Sequence, residues 1–524
     1  MTSSYQEKLR DIKWELSQFN PLSSLSVSIE YLEEHKNSPN AFQAMPWIIL
    51  LVLKLAMIEG NPRRRDITKR EFLHISNKLF RMQHLAANLE TGNLFAELRP
   101  MLLQQHWFQR DLNDDLRSMI RQLLWFRTER SFYEEKFKTL TGLDINTFIL
   151  ISFYICIQAI SNAKGGATEL NMLELIHFLT PKITLKEIYL FLKLTTVKAA
   201  NLPNFFKRYE LIDEPQAEFF QPPVLKNKPL IVDGDRIYIL TAQICVAGLS
   251  FMIPTVLKKE LREEYKDHLG PLMERYIDSL ISECGLRLMP EREILAIYAK
   301  QGAKKGNEVC DFAILGTKTI LVESKAIEPS DIVKSTAISA ILKRTLKESF
   351  LKAIAQGQRT ASILNKSDSA LVGTHYLVVI THEEFWYPTG RTVCDLIDQN
   401  LEEEIAAVYG EPPIPLEHIG FITIGMFEKL CAMHSSGEID IEDVLVRSFE
   451  RLEVAENKRS TFEFTIDEVL GGGGKIHRAL SKRASKFFDE LTASMQGNRA
   501  FWKHKQQHLL YSHQKLFRAL DTVI

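Results

Sequence analysis

Between Asn307 and Ile327 the chain reads NEVCDFAILGTKTILVESKAI, two short apolar runs that meet at Gly316-Thr317-Lys318. Runs of this kind, rich in Val, Ile, Leu and Phe and broken by a tight turn, predict a β-hairpin. Side chains alternate faces along a strand, so Val309, Asp311, Ala313 and Leu315 share one face and Cys310, Phe312 and Ile314 the other. On the second strand Leu321, Glu323 and Lys325 lie opposite Ile320, Val322 and Ser324. Three charges therefore interrupt strands that otherwise belong in a core. An ionised group among apolar neighbours is costly unless it is paired or holds a metal. That requirement constrains the fold more than any other feature of the sequence.

Two carboxylates on adjacent strands, Asp311 and Glu323, suit a hard divalent cation such as Mg²⁺, with Mn²⁺ as a substitute. Such an ion polarises a phosphoryl oxygen and lowers the pKa of a bound water, while Lys325 positions that water or helps to deprotonate it. Hydrolysis of a phosphodiester is the expected reaction. Asp311, followed twelve positions later by Glu323-Ser324-Lys325, resembles the PD-(D/E)XK, or restriction-endonuclease-like, nuclease superfamily. Cys310 stands where the family name has a proline; it reads as a small core residue rather than a nucleophile. Glu308 lies off the Asp311 face and is left out of the site.

The resemblance covers residues 257–430 and implies a metal-dependent endonuclease acting on DNA, with restriction or defence against foreign DNA as its setting. It also implies a glutamate on the helix before the sheet that reaches the metal. Glu274 matches that place, at the edge of an apolar stripe of Met273, Ile277, Leu280 and Ile281. That helix is expected to begin near His268, with Pro271 in its first turn. A glutamine is implied on the later helix expected over Ser339–Leu364. The resemblance favours Gln356, whereas a helical wheel places Gln358 nearer the apolar edge, and both stay candidates. The candidate site is thus Asp311, Glu323, Lys325 and Glu274 with Gln356 or Gln358, and its metal ligands are Asp311, Glu323 and Glu274. Further strands are expected at residues 375–381 and 418–424.

Up to about residue 210 apolar residues recur at three- and four-residue spacing, which predicts helix after helix. The segment Ile183–Leu202 has the outline of a helix-turn-helix but reads better as ordinary helical packing. Pro215, Pro222, Pro223 and Pro229 then precede LIVDGDRIYIL, where Asp-Gly between apolar runs predicts a second hairpin. From about residue 257 a long helix, three strands, a second long helix, a strand, a helix and a last strand are expected. The tetraglycine Gly471–Gly474 reads as a joint, and Val469 and Ile476 rule out a phosphate-binding loop there. The expected layout is an α+β multidomain chain: an all-helical domain over 1–215, a connecting hairpin and helix over 216–256, a restriction-endonuclease-like α/β domain with a mixed sheet over 257–435, and a helical region over 436–524.

A chain of 524 residues, 45% hydrophobic and 25% charged, has the composition of a folded multidomain protein rather than a disordered or fibrous one. Its 65 Lys and Arg nearly cancel 66 Asp and Glu, so attraction to a nucleic acid must come from local patches. Two are candidates: the cluster Arg63, Arg64, Arg65, Lys69 and Arg70, and the segment from Lys475 onward, with ten basic and three acidic residues, a surplus of 10 − 3 = 7. The second reads equally as an amphipathic helical pair capping the nuclease domain. Six scattered cysteines with no CxxC pair fit a reduced, cytoplasmic protein, and the charged N-terminus reads as no signal peptide. The apolar stretches Trp47–Ile58 and Phe148–Ile160 fall short of the roughly 20 residues that a membrane span needs and are expected to be buried core helices. DNA is the expected partner, with a homo-oligomer or partner subunit allowed and no membrane. An RNase or partner-directed nuclease subunit is the first alternative. A catalytically silent nucleic-acid-binding module is the second, and intact Asp311, Glu323 and Lys325 speak against it.

Overall fold

The computed structural model describes residues 4–35, 44–87, 94–126, 131–163, 166–302, 308–326, 330–367, 373–454, 456 and 458–523. Asn307 and Ile327, the ends of the first predicted hairpin segment, lie outside them. The chain forms two compact units, Met1–Arg262 with Lys482–Ile524, and Glu263–Ser481. The expected divisions at 215, 256 and 435 do not coincide with these.

In the first unit helices dominate, as the periodicity predicts. The stretch around Trp47–Ile58 lies in a helix, Pro46–Glu59, that is buried nearly all round. Lys54 interrupts it at 4% exposure. Its ammonium meets Glu218 at 2.7 Å, Gln221 at 2.7 Å and the Tyr209 carbonyl at 3.1 Å, the pairing that a buried cation requires. One helical stretch, Ile145–Asn162, is long and apolar enough to cross a membrane, and most of it is buried inside the protein.

The expectation of an all-helical domain is corrected by a four-stranded sheet, in the order β1-β4-β3-β2. It contains β1 (Thr168–Glu169), β2 (Thr196–Lys198), β3 (Leu230–Asp233) and β4 (Arg236–Ile239). The predicted Asp-Gly hairpin is β3-β4, with Gly234 at φ +60 in its turn. It belongs to this sheet rather than to a separate connector. β2 falls inside the segment with the helix-turn-helix outline. A helix runs over Leu185–Thr195, then Thr196 and Val197 turn into a strand parallel to β3, because consecutive β-branched residues favour extended backbone.

Lys482–Ile524 also returns to the first unit. Phe487 packs on Phe153 at 4.8 Å between ring centroids, the Trp502 indole donates to the Thr180 carbonyl at 2.9 Å, and Asn498 donates to the Phe178 carbonyl at 2.8 Å. The expected cap on the nuclease domain is therefore corrected: this helical pair completes the first unit's core. The other basic cluster is partly neutralised, with Arg65 on Glu71 and Lys69 on Glu30 and Glu34.

The second unit is built on a five-stranded sheet, β5-β6-β7-β8-β9, from Leu288–Pro290, Phe312–Leu315, Thr319–Lys325, His375–Thr381 and Ile419–Thr423. β5, β6 and β7 are antiparallel neighbours, and β7, β8 and β9 run parallel. The central strands are buried on both faces, as their continuous apolar runs require. Helix α1 (Glu263–Glu283) precedes the sheet. It begins five residues before the expected His268, so Pro271 lies within it rather than in its first turn. Helix α2 (Glu291–Lys300) separates β5 from β6, which corrects the expected run of three strands. The helix expected over Ser339–Leu364 contains a π-helical segment, Lys347–Leu351, before α3 (Lys352–Asn365). Beyond β9 come α4 (Ile424–Ser435) and α5 (Ile441–Glu453).

Candidate active site

The hairpin β6-β7 carries the site, and its turn is held from outside. The Glu442 carboxylate, in the first turn of α5, accepts from the Thr317 and Lys318 backbone N–H groups at 3.1 and 2.7 Å and from the Thr317 hydroxyl. This clamp fixes the register Phe312↔Val322, Ala313↔Leu321. Asp311 sits one residue before β6 rather than within it. Its Oδ2 accepts from the Ser324 backbone N–H at 2.7 Å and from the Ser324 hydroxyl at 2.6 Å. The middle residue of Glu323-Ser324-Lys325 thus orients the first carboxylate of the site. Burial raises the Asp311 carboxyl above its ordinary range, while the Ser324 bonds pull against that.

Glu323 is 1% exposed. Its Oε1 meets the Lys325 ammonium at 2.5 Å, and its Oε2 is buried with no hydrogen-bond partner. Burial first, then the Asp311 charge, push its carboxyl up to about 8 despite Lys325. The ion pair therefore does not offset the loss of water. Lys325 also donates to Gln356 Oε1 at 2.8 Å, and Gln356 Nε2 donates to the Val309 carbonyl at 3.1 Å, so α3 is tied to β7 and to the segment that leads into β6.

Gln358, the other candidate, is directed elsewhere. It is fully buried and exchanges two hydrogen bonds with the Ile414 backbone, at 2.7 and 2.9 Å. Gln358, which the wheel places nearer the apolar edge, is the more deeply buried, whereas Gln356, which the resemblance favours, is the one that meets Lys325. Gly357 between them brings α3 close to β8: a Cβ there would stand 2.5 Å from Leu377 Cδ2. Cys310 is fully buried with its N–H on the Thr360 hydroxyl, the place of a core residue. Glu308 pairs with Lys352 at 2.8 Å.

Glu274, half-buried on α1, completes the group. Burial and then the charges of Asp311 and Glu291 raise its carboxyl, while Lys325 lowers it. Glu291 was not foreseen from the sequence. It opens α2, its backbone N–H donates to the Asp311 carbonyl at 2.8 Å, and burial and then the Asp311 charge raise its carboxyl. Its only sequence signal was an acidic residue following a short strand, which α2's weak apolar pattern obscured. The structure brings together Asp311, Glu323, Lys325 and Gln356 by hydrogen bonds, with Glu274 and Glu291 within electrostatic reach.

The donor chemistry fits a hard divalent cation. The Asp311 charge adds to burial in raising the carboxyls of Glu274 and Glu323, and Glu323 Oε2 is an orphaned buried oxygen that a cation would satisfy. Among the described residues, however, no three His, Cys, Asp or Glu side chains stand close enough to form a ready-made metal shell. Lys325 occupies the position of a cation on Glu323. No family model matches this chain, and none of the curated proteins and solved structures compared with it matches either.

Proposed function

We propose that the chain is a metal-dependent endonuclease that hydrolyses phosphodiester bonds of DNA. The observation that carries this reading is the joining of Asp311, Glu323, Lys325 and Gln356 at one partly buried place on a mixed sheet. Asp311 and Glu323, with Glu274 from α1, would hold Mg²⁺ or Mn²⁺. When bound, the ion supplies Lewis-acid polarisation of the phosphate and a more acidic water. Ser324 holds the Asp311 carboxylate in one orientation, so little reorganisation is needed there when substrate arrives. Gln356 holds the Lys325 ammonium at the mouth of the site, where it can bind a phosphate oxygen or orient a water. Glu323 lies buried at the base of the site, away from solvent.

The test is incubation of the full chain with supercoiled plasmid, linear duplex, single-stranded DNA and RNA, in Mg²⁺ or in EDTA, beside Asp311→Asn and Lys325→Ala. Cutting of DNA by the wild type in Mg²⁺ alone, lost in both variants, is the expected result. Equal behaviour of all three proteins would remove the proposal, and cutting confined to RNA would redirect it to ribonuclease chemistry.

A further inference from the structure

Away from that site, the second unit brings two thiols together. Cys284 follows the last residue of α1, and Cys431 lies in α4. The Cys284 thiol lies 3.4 Å from the Cys431 carbonyl oxygen, and the Ser435 hydroxyl, one turn further along α4, is 3.5 Å from the Cys284 sulfur. The two thiols also act on each other electrostatically. Cys284 is partly exposed and Cys431 fully buried, so one sulfur meets solvent and the other waits behind it. Both helices belong to one compact unit, where the Tyr276 hydroxyl on α1 also donates to Glu428 on α4 at 2.7 Å.

We propose that Cys284 and Cys431 form a redox-active thiol pair, in which Cys284 reacts with a hydroperoxide and Cys431 then closes a disulfide on it. The Cys284 thiolate attacks one peroxide oxygen and the O–O bond breaks. That gives a sulfenic acid and, from hydrogen peroxide, a hydroxide that takes up the proton Cys284 has released. The Cys431 sulfur next attacks the Cys284 sulfur and the S–O bond breaks, with the departing hydroxide taking the Cys431 proton. Two thiols lose two electrons, one peroxide gains them, and two waters leave.

The arrangement favours this order. The neighbouring Cys431 thiol, and then the Ser435 hydroxyl that donates to the Cys284 sulfur, hold the Cys284 thiol down to about 7 against burial, which favours the attacking thiolate. Cys431 is pushed well up, by its bond to Cys284 and by burial, and stays protonated until the sulfenic acid forms beside it. A second thiol contact, Cys156 with Cys245, is fully buried on both sides and has no exposed sulfur to start the reaction.

Hydrogen peroxide added to the metal-free native chain tests this. Thiols counted after denaturation without reductant should fall from six to four (6 − 2), and peptide mapping should find Cys284 linked to Cys431, reversed by dithiothreitol. In Cys431→Ser the sulfenic acid at Cys284 should persist and be trapped by dimedone. In Cys284→Ala no link should form, with Cys156 and Cys245 unchanged. Retention of all six thiols, a link between other cysteines, or further oxidation of Cys284 without linkage would overturn the proposal. None of these readouts depends on nuclease activity.

Discussion

Replacing Glu323 with glutamine in metal-free protein isolates one buried charge and gives it a measurable pH signature. Burial and the Asp311 charge place the wild-type carboxyl at about 8 instead of 4.5. Keeping it ionised in the fold therefore costs (8 − 4.5) × 1.36, or about 5 kcal/mol. The folded-state pKa is raised, so the folded state binds the extra proton. The stability contributed by this group is fully present below pH 4.5, is lost as pH rises toward 8, and is level above that. Glutamine keeps the shape and has nothing to titrate. It gives up the Lys325 ion pair, which exists only where Glu323 is ionised and whose effect is already contained in the raised Glu323 pKa. The stability difference between variant and wild type should then move in favour of glutamine by about 1.4 kcal/mol per pH unit between the two pKa values. Hydrogen exchange of the peptide Thr319–Lys325 in EDTA, at steps from about pH 5 to about pH 9, reads this locally, because intrinsic exchange cancels between proteins at equal pH. A difference that stays flat, or that slopes in favour of glutamate, would refute the reasoning.

Four further outcomes are expected. Adding Mg²⁺ should stabilise the wild type by about 2.7 kcal/mol at a hundredfold excess over its dissociation constant and flatten the pH slope; EDTA should reverse both, and Asp311→Asn should respond to neither. Gln356→Ala should lower the rate of DNA cutting and also destabilise the second unit by about 1–3 kcal/mol, since the buried Val309 carbonyl loses its donor. Gln358→Ala should destabilise the second unit by about 2 kcal/mol or more, because the buried Ile414 N–H and carbonyl lose their partners, while leaving the metal-dependent step intact in the folded protein, so the cutting rate separates the two variants. Gly357→Ala sets a helix-propensity gain of about 1 kcal/mol against about 1–3 kcal/mol of overpacking on Leu377, so a net loss of stability is expected in a denaturant titration.

The hairpin and its charges were legible because two continuous apolar runs are visibly interrupted by charge, and Asp311, Glu323 and Lys325 fall within bonding reach of one hairpin. What could not be read has local causes. β1 and β2 are two and three residues long, too short for any periodicity. α2 buries little besides Ile294, so its apolar pattern is faint, and Glu291 at its start went unseen. Gln356 and Gln358 lie two positions apart on one helix and are both buried, so only their hydrogen-bond partners, Lys325 and Ile414, tell them apart. The return of residues 482–524 to the first unit rests on contacts such as Trp502 with Thr180, more than 300 positions apart, which no window of sequence contains.

That return has a consequence for the order of events at the ribosome. Glu263–Ser481 is one uninterrupted stretch and can fold as soon as it has emerged, whereas the first half of the chain is synthesised long before the segment that finishes it. Until then Phe153 and the carbonyls of Phe178 and Thr180 lack the partners that Phe487, Asn498 and Trp502 provide. The early half must wait, sticky and incomplete, through the synthesis of an entire second body, and in that interval chaperone binding or misassociation with another nascent copy competes with folding.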